Sequence, residues 1–212
     1  MRFKKTLPPG QSLAVVAHPD DETIWLGGFI SRHPELNWTI LSLCHASDPD
    51  RRPKFSRACR HFKAAGMIAD LPDDGKLSLE RLIARIKKII PEKLGRKRRF
   101  DYIFTHGQNG EYGHLIHRAA HQAVKSLVKE KKIITENLFC FNYKKNRRPT
   151  AKENSDLIIH LNAREFKNKK AVMTGIYGFD PTGIDANLCA NPEAFKIIEP
   201  HKSTNQLRII QM

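Results

Sequence analysis

Acidic residues, cysteines and long apolar runs are scarce in this chain. It has 22 Asp and Glu against 37 Lys and Arg, which leaves a net charge of +15. The longest apolar run falls far short of the ~20 residues that a transmembrane helix needs. The four cysteines form no CxxC pair. Their spacing argues against a disulfide scaffold and favours reduced thiols in a cytoplasmic protein.

The 212 residues suffice for one domain with a substantial core, since 40% of them are hydrophobic. We expect a single domain over residues 1–212, with its core at about 12–197 and basic extensions at both ends. Pro8, Pro9 and Gly10 interrupt the N-terminal region where a signal peptide would be continuously apolar. No export signal is therefore expected.

Apolar runs typical of buried strands alternate with segments of helical periodicity. Ser78 is a good N-cap for the clearest helix, and Pro91 is its expected end. This alternation predicts an α/β fold, a Rossmann-like and mostly parallel sheet with helices on both faces of a single domain. The pattern weakens after Gly175. The expected strands are 13–17, 38–44, 102–105, 137–143 and 156–161, and the expected helices are 23–32, 55–66, 79–90, 114–129 and 163–174.

The first expected strand ends in a cluster of polar side chains, His18-Pro19-Asp20-Asp21-Glu22. Adjacent carboxylates repel one another unless a cation or hydrogen-bond donors compensate. An imidazole beside a carboxylate is a common start of a divalent metal site. A second interpretation is a plain helix start, in which Asp20 or Asp21 caps the helix and Glu22 favours its dipole. This motif alone does not decide between them.

A second cluster follows the strand at 102–105 and ends at His117. His114 and His117 are three residues apart at a predicted helix start, so they share a face. Functional groups of open α/β sheets gather where the carboxyl ends of the strands meet. Together the two clusters supply three N or O ligands and an open position for water, as in catalytic metal sites. Incidental surface histidines are the alternative interpretation.

The segment AHPDDE at 17–22, together with GEYGHLIH at 110–117, resembles the LmbE/PIG-L family of zinc-dependent N-acetylglucosaminyl deacetylases. The resemblance implies a hydrolase of a linear amide. Such an enzyme removes acetyl from an N-acetylated amino sugar, for example a GlcNAc-type glycoconjugate, with metal-bound water as the nucleophile. One zinc per chain is implied, and iron(II) or cobalt would accept the same ligands.

The resemblance also assigns roles to individual residues. His18, Asp21 and His117 match the zinc ligands of the family. Asp20 matches its general base, which takes the proton of the water and passes it to the leaving amine. His114 matches the histidine that polarises the substrate carbonyl, and we expect it as an imidazolium beside the developing oxyanion.

The second motif departs from the GHPDH of many relatives, because Ile116 stands where they carry a carboxylate. Three further residues, Arg57, His106 and Tyr112, are weaker candidates for binding the substrate. His121 lies one turn after His117, and we favour a position at the surface over a position in the site.

The positive charge points to an anionic partner. The runs 93–99 and 129–132 precede strands, so we expect them at the sheet edge opposite the crevice, facing anionic lipid headgroups or a polyanion. The run 144–148 follows a strand and is the better candidate for the carrier of an anionic substrate, such as a sugar nucleotide, a glycolipid or a polysaccharide. An ordinary solvated surface is the alternative. The sequence leaves a homo-oligomer open.

Two other functions compete with deacetylation of a GlcNAc-type sugar. The first is a basic nucleic-acid-binding module whose histidines are incidental. The sequence shows no aromatic stacking motif, zinc-finger spacing or helix-turn-helix signal, so nucleic acid is not the expected partner. The second is an amidase acting on another N-acyl sugar of a natural-product or thiol-cofactor pathway, which would use the same site.

Overall fold

The computed structural model describes residues 7–144, 146 and 149–198. Strands and helices alternate through most of this part of the chain, and α5 continues directly into a π-helical segment, Val172–Tyr177. The elements are β1 Gly10–Val16, α1 Asp21–Arg32, β2 Leu36–Ser42, α2 Arg51–His61, β3 Ala65–Ile68, α3 Leu79–Leu94, β4 Tyr102–Thr105, α4 Leu115–Lys129, β5 Asn137–Phe141, β6 Tyr143–Lys144, β7 Thr150–Ala151, β8 Leu157–Ile159, α5 Ala163–Ala171, α6 Ile184–Asn187 and β9 Glu193–Ile198.

Seven strands form one sheet in the order β3-β2-β1-β4-β5-β9-β8. The five strands from β3 to β5 are parallel, whereas β9 pairs antiparallel with both β5 and β8. The predicted mostly parallel sheet in a single domain is confirmed. The predicted basic N-terminal extension lies mainly outside the described residues, as do all residues after 198.

Helices cover both faces of the sheet, as predicted. The helices α3 and α4 pack side by side on one face, over a core that includes Val15, Ile86 and Val124. The other face carries α1, α2, α5 and the π-helical segment, over a core that includes Trp25 and Phe104. The middle strand β1 is buried on both of its faces, which explains its unbroken apolar sequence.

Several of the predicted element bounds were wrong. The strand predicted at 137–143 ends at Phe141, and the helix predicted at 163–174 ends at Ala171, where the π-helical segment begins. The helix predicted at 55–66 ends at His61, and the residues after it form strand β3. The third helix does not end at Pro91 but continues to Leu94, whose side chain is buried. Ser78 does cap this helix, since its side chain accepts a hydrogen bond from the Arg81 N–H at 3.4 Å.

The last described strand is tied to the first helix through a buried carboxylate. Glu193, at the start of β9, accepts hydrogen bonds from the backbone N–H groups of Gly28 and Phe29 at 2.8 and 2.6 Å. Lys169 of α5 donates to the same carboxylate at 2.6 Å, and neither charged side chain is exposed. The ion pair is therefore paired and hydrogen-bonded, as a buried charge must be.

The helices of the described residues are all too short or too polar to cross a bilayer.

Candidate metal centre

The two polar motifs meet at the carboxyl edge of the sheet because β1 and β4 are adjacent parallel strands. Val15 pairs with Thr105, so both chains leave the sheet at the same edge. The backbone N–H of Ala17 donates a hydrogen bond to Nε2 of His106 at 2.9 Å, across 89 positions of sequence. The convergence expected from the two strand ends is therefore present.

One oxygen of Asp21 lies at the centre of this cluster. Its Oδ2 is 3.3 Å from Nδ1 of His18 and 3.4 Å from Nε2 of His117. Two ligands of a tetrahedral zinc ion, each about 2.0–2.1 Å from the metal, are about 3.3 Å apart. Both separations therefore fit ligands that share one divalent ion.

The remaining polar atoms of Asp21 and His18 are already bonded. The indole N–H of Trp25 donates to Oδ1 of Asp21 at 3.0 Å. Nε2 of His18 lies 3.0 Å from Oδ2 of Asp73, which comes from the loop after β3. These partners leave Oδ2 of Asp21 and Nδ1 of His18 facing the cluster. Such outer partners orient the ligands of metal sites.

Glu111 is the outer partner that orients the His117 ring. Its carboxylate lies 2.6 Å from Nδ1 of His117 and 2.9 Å from Nδ1 of His106, and it accepts the Gly107 N–H at 2.6 Å. Glu111 is buried, which opposes its ionisation, but His106 and His117 lower its pKa to about 2. The ionised carboxylate therefore holds the proton of His117 on Nδ1 and leaves Nε2 free.

His106 is fully buried and both of its ring nitrogens are engaged. Burial favours the neutral form of this ring, whereas the neighbouring carboxylates of Glu111 and Asp21 favour the charged form. A proton on Nε2 would break the hydrogen bond from Ala17, so we assign the neutral ring with its proton on Nδ1. Substrate binding by His106 stays a prediction, and its ring has no exposed surface for a direct contact. The ring instead stacks on His117, with ring centroids 3.8 Å apart.

The donor set fits a divalent cation. Within the described part of the chain, the residues able to hold an ion fall into two overlapping groups, one with His18, His114 and His117 and the other with Asp21, His106 and His117. His106 is excluded as a ligand by its bond to Ala17. Nε2 of His117 is buried and has no hydrogen-bond partner among the described residues. Buried polar atoms rarely lack a partner, and imidazole nitrogens with a carboxylate oxygen are suitable ligands for such an ion.

His114 caps the start of α4 without any hydrogen bond from its side chain to the helix. Its ring centroid is 4.7 Å from that of His117 and 4.8 Å from that of His18. Burial and these two neighbouring histidines lower the pKa of His114 to about 4. The imidazolium expected from the sequence is therefore corrected to a neutral ring. Ile116 stands where many relatives carry a carboxylate, and its apolar side chain is buried in the core under α4. The ring of His114 therefore has no carboxylate partner from this position.

Asp20 lies beside the cluster in a strained conformation. Its φ is +121°, and its N–H donates to Oε2 of Glu22 at 3.0 Å. Its Oδ2 accepts a hydrogen bond from Nη1 of Arg51 at 2.7 Å. Burial and the neighbouring Asp21 raise the pKa of the Asp20 carboxyl, and Arg51 opposes that rise. Strained backbone of this kind concentrates at functional sites.

The weaker candidates separate into residues near the cluster and residues away from it. Tyr112 is 39% exposed, and its ring centroid lies 5.3 Å from that of His117, at the mouth of the site. Arg57 is exposed on α2, where it donates to the carbonyl of Ile176 at 3.0 Å. His121 is buried, contrary to the surface position favoured from the sequence, and its Nδ1 lies 2.8 Å from the carbonyl oxygen of His106.

Sequence reasoning missed three residues that touch the proposed functional groups, namely Trp25, Arg51 and Asp73. Trp25 had a usable signal, because it stands four residues after Asp21 on the same helix face. Arg51 and Asp73 follow β2 and β3, whose carboxyl ends lie at the same edge as the motifs. Of the run 144–148, Lys144 pairs with Glu153 at 3.3 Å, and residues 145, 147 and 148 lie outside the described residues.

Comparison with known proteins places these motifs in a family and the fold among solved structures. The family described as "PIG-L: GlcNAc-PI de-N-acetylase" matches residues 13–128, which include both motifs. No curated protein matches the chain significantly.

Three similar structures illustrate the range of activities on this fold. The A40926 pseudoaglycone deacetylase Dbv21 is 13% identical, with a TM-score of 0.67 over 92% of this chain and 100% of its own. The N,N'-diacetylchitobiose deacetylase of Pyrococcus horikoshii is 13% identical, with a TM-score of 0.61 over 89% and 83%. GalB of Pseudomonas putida KT2440, a 4-carboxy-2-hydroxymuconate hydratase, is 14% identical, with a TM-score of 0.63 over 92% and 99%.

Proposed function

The chain belongs to the PIG-L family of GlcNAc-PI de-N-acetylases, and from this premise we propose that it is a metal-dependent hydrolase that removes acetyl from an N-acetylated amino sugar. The observation that carries the proposal is the position of Asp21 Oδ2, 3.3 and 3.4 Å from two histidine nitrogens, with the carboxylate of Asp20 next to it in the chain. This arrangement provides ligands and a base in one crevice.

The proposed ligands are Nδ1 of His18, Oδ2 of Asp21 and Nε2 of His117. We favour zinc as the ion, and the same donors suit iron(II) or cobalt. Such an ion, when bound, lowers the pKa of water towards about 7 and polarises the amide carbonyl. Hydrogen bonds with Asp73, Trp25 and Glu111 hold the three ligand side chains in place.

Asp20 is the proposed general base. Arg51 occupies its Oδ2, so Oδ1 is the oxygen that accepts the proton of the attacking water. The same carboxyl group then delivers that proton to the nitrogen of the leaving amine. His114 is the proposed hydrogen-bond donor to the amide oxygen as negative charge develops there. Because the ring is neutral, its N–H donates without a full charge, and one such donor contributes about 3–4 kcal/mol in other enzymes.

The substrate proposal is an amino sugar on a larger carrier. Two of the similar structures are named as deacetylases, one of N,N'-diacetylchitobiose and one of a pseudoaglycone. Tyr112 at the mouth of the site offers an aromatic face to a sugar ring. The net charge of +15 favours an anionic carrier. An amidase acting on another N-acyl sugar would use the same residues.

The experiment measures acetate and free amine released from a panel of N-acetyl sugars, together with the metal content of the protein. We expect about one ion per chain in the wild type and loss of that ion in His117→Ala. In Asp20→Asn we expect turnover to disappear while the ion stays bound. His121→Asn is the matched control, since His121 lies one turn further along α4 and is not a proposed ligand. It should keep the ion.

Two outcomes would overturn the proposal. One is a metal-loaded wild-type protein that releases no amine from any N-acyl sugar. The other is metal-free protein that binds DNA with a steep dependence on salt, as expected of a nucleic-acid-binding module.

A further inference from the structure

Two basic runs of the sequence lie side by side at the edge of the sheet opposite the crevice. The Phe100 N–H donates to the carbonyl of Ile134 at 2.9 Å, and the Ile134 N–H donates to the carbonyl of Arg98 at 2.7 Å. The segment before β4 therefore pairs with the segment before β5. The pairing joins eight cations into one surface, here called the basic edge. It consists of Lys93, Arg96, Lys97, Arg98, Arg99, Lys129, Lys131 and Lys132.

The charges of the basic edge are available to a partner. All eight residues are exposed, and among the described residues none of them forms an ion pair with a carboxylate. Four acidic residues flank these runs in the sequence: Glu92 and Glu136 are exposed, whereas Glu130 and Asp101 are engaged by other groups. Glu130 pairs with Lys87 at 2.5 Å, and Asp101 accepts the Gln11 N–H at 2.7 Å. The run 93–99 itself contains no acidic residue.

The basic edge is remote from the proposed metal centre. Arg99 and His106 are seven positions apart in the chain, and β4 lies between them. At about 3.3 Å per residue the strand carries the chain roughly 20 Å from one edge of the sheet to the other. These cations therefore do not hold the scissile group, and their charge needs a separate explanation.

The side chains at this edge fit a membrane better than a nucleic acid. Ile134 is 39% exposed and lies between the two basic runs. An apolar side chain among lysines and arginines is typical of surfaces that rest on anionic lipid, where the cations meet the headgroups and the apolar group enters their boundary. Single-stranded nucleic acid is instead held by exposed aromatic rings. Phe100, the aromatic residue at this edge, is 1% exposed.

We propose that the basic edge docks the protein on an anionic phospholipid surface, with Ile134 at the lipid boundary and the crevice directed away from the bilayer. The docked enzyme would then take its sugar from the aqueous side or from the end of an extended chain. This proposal does not depend on the reaction at the metal centre, and it holds or fails on binding alone.

The test is co-sedimentation of the full chain with vesicles at 0.1 M salt. Vesicles of phosphatidylcholine with about a quarter phosphatidylserine should bind the protein, and pure phosphatidylcholine vesicles should not. Each cation near an anionic membrane strengthens binding about fivefold. The variant in which Lys93, Arg96, Lys129 and Lys132 are all replaced by Gln should therefore bind at least about 100-fold more weakly.

The matched control removes four cations from α3 and α4, away from the basic edge. Arg81, Arg85, Lys88 and Lys125 are exposed and lie outside the basic edge. Replacing all four by Gln gives the same net charge and should weaken binding less than about tenfold. Equal losses in the two variants would show that net charge alone drives binding, which overturns the proposal.

Ile134→Thr distinguishes binding to a lipid surface from binding to nucleic acid, since it removes apolar surface but keeps a β-branched side chain and every charge. It should weaken binding to phosphatidylserine vesicles several-fold and leave binding to a DNA duplex unchanged. Tighter binding of the wild type to the duplex than to the vesicles at the same salt would assign the basic edge to nucleic acid and overturn the membrane proposal.

Discussion

Trp25 lies one helical turn after Asp21 in α1, and its indole N–H donates a hydrogen bond to Oδ1 of Asp21 at 3.0 Å. Trp25 is 1% exposed and packs against Tyr143, with ring centroids 5.1 Å apart. The carboxylate of a proposed metal ligand is thus fixed by a side chain that is itself immobilised in the core. The bond leaves Oδ2 as the single oxygen of Asp21 that faces His18 and His117.

Replacing this indole by a ring without the N–H tests its role. Trp25→Phe keeps an aromatic side chain in the core and frees Oδ1 of Asp21. We expect the affinity for zinc or cobalt to fall about 10–100-fold, the usual effect of losing an outer partner of a ligand. The absorption spectrum of the cobalt-loaded protein should change as well. Trp38→Phe is the matched control, because the Trp38 indole donates to the carbonyl of His33, which is not a proposed ligand. Unchanged spectra in both variants would contradict the role of Trp25.

Arg51 should set the acidic limb of the activity profile. The proposed base, Asp20, acts as a carboxylate, and the Arg51 cation favours that form. In Arg51→Gln the pKa of Asp20 rises, so the base becomes protonated at a higher pH. Plots of kcat/KM against pH should show the acidic limb displaced to higher pH with the metal content unchanged. Arg52→Gln removes the neighbouring exposed cation and should leave the limb in place.

Glu111 should contribute stability that depends on pH in metal-free protein. Its pKa is lowered from 4.5 to about 2 in the folded state, so the unfolded chain binds its proton first. The contribution is complete above pH 4.5 and is lost as the pH falls towards 2. Urea unfolding of Glu111→Gln should show a deficit of about 1–3 kcal/mol at pH 7. This deficit should stay constant down to about pH 5 and then shrink; a deficit that grows in acid would contradict the assignment.

Two adjacent glycines of α1 should respond in opposite ways to alanine. A Cβ at Gly28 would overlap both methyl groups of the buried Leu161, whereas a Cβ at Gly27 would come no closer than 3.3 Å to the Phe62 ring. We expect Gly28→Ala to lower the free energy of unfolding by about 1–3 kcal/mol. Gly27→Ala should be neutral or stabilising by up to about 1 kcal/mol, since alanine favours helix. Urea denaturation measures both, and adding Leu161→Val should recover part of the loss in Gly28→Ala.

The parallel half of the sheet was predictable because its strands are continuous apolar runs between amphipathic helices. Of the antiparallel part, the strand predicted at 156–161 corresponds to β8, but β9 was not predicted. Strand β9, Glu193–Ile198, is antiparallel to both of its sheet neighbours, and its place between β5 and β8 is decided by long-range pairing. Strand β3 has only four residues. It follows α2, for which the sequence periodicity predicted an end at residue 66, beyond the observed end at His61.

The motif residues of the site were predictable, whereas their supports mostly were not. His18, Asp21 and His117 follow from strand ends that meet at one edge. Asp73 contacts His18 from a loop 55 positions away, and no local sequence pattern predicts that contact. The neutral state of His114 depends equally on tertiary neighbours, because the two other histidine rings and burial lower its pKa.

The place of β9 in the sheet also bears on how the chain is made. A ribosome releases the parallel strands in order, but the gap between β5 and β8 closes only after residue 198 has emerged. Until then, two strand edges are unpaired, and Glu193 has not reached the N–H groups of α1. Unpaired strand edges invite association with other chains. Premature termination before β9 would therefore yield an aggregation-prone fragment rather than a smaller enzyme.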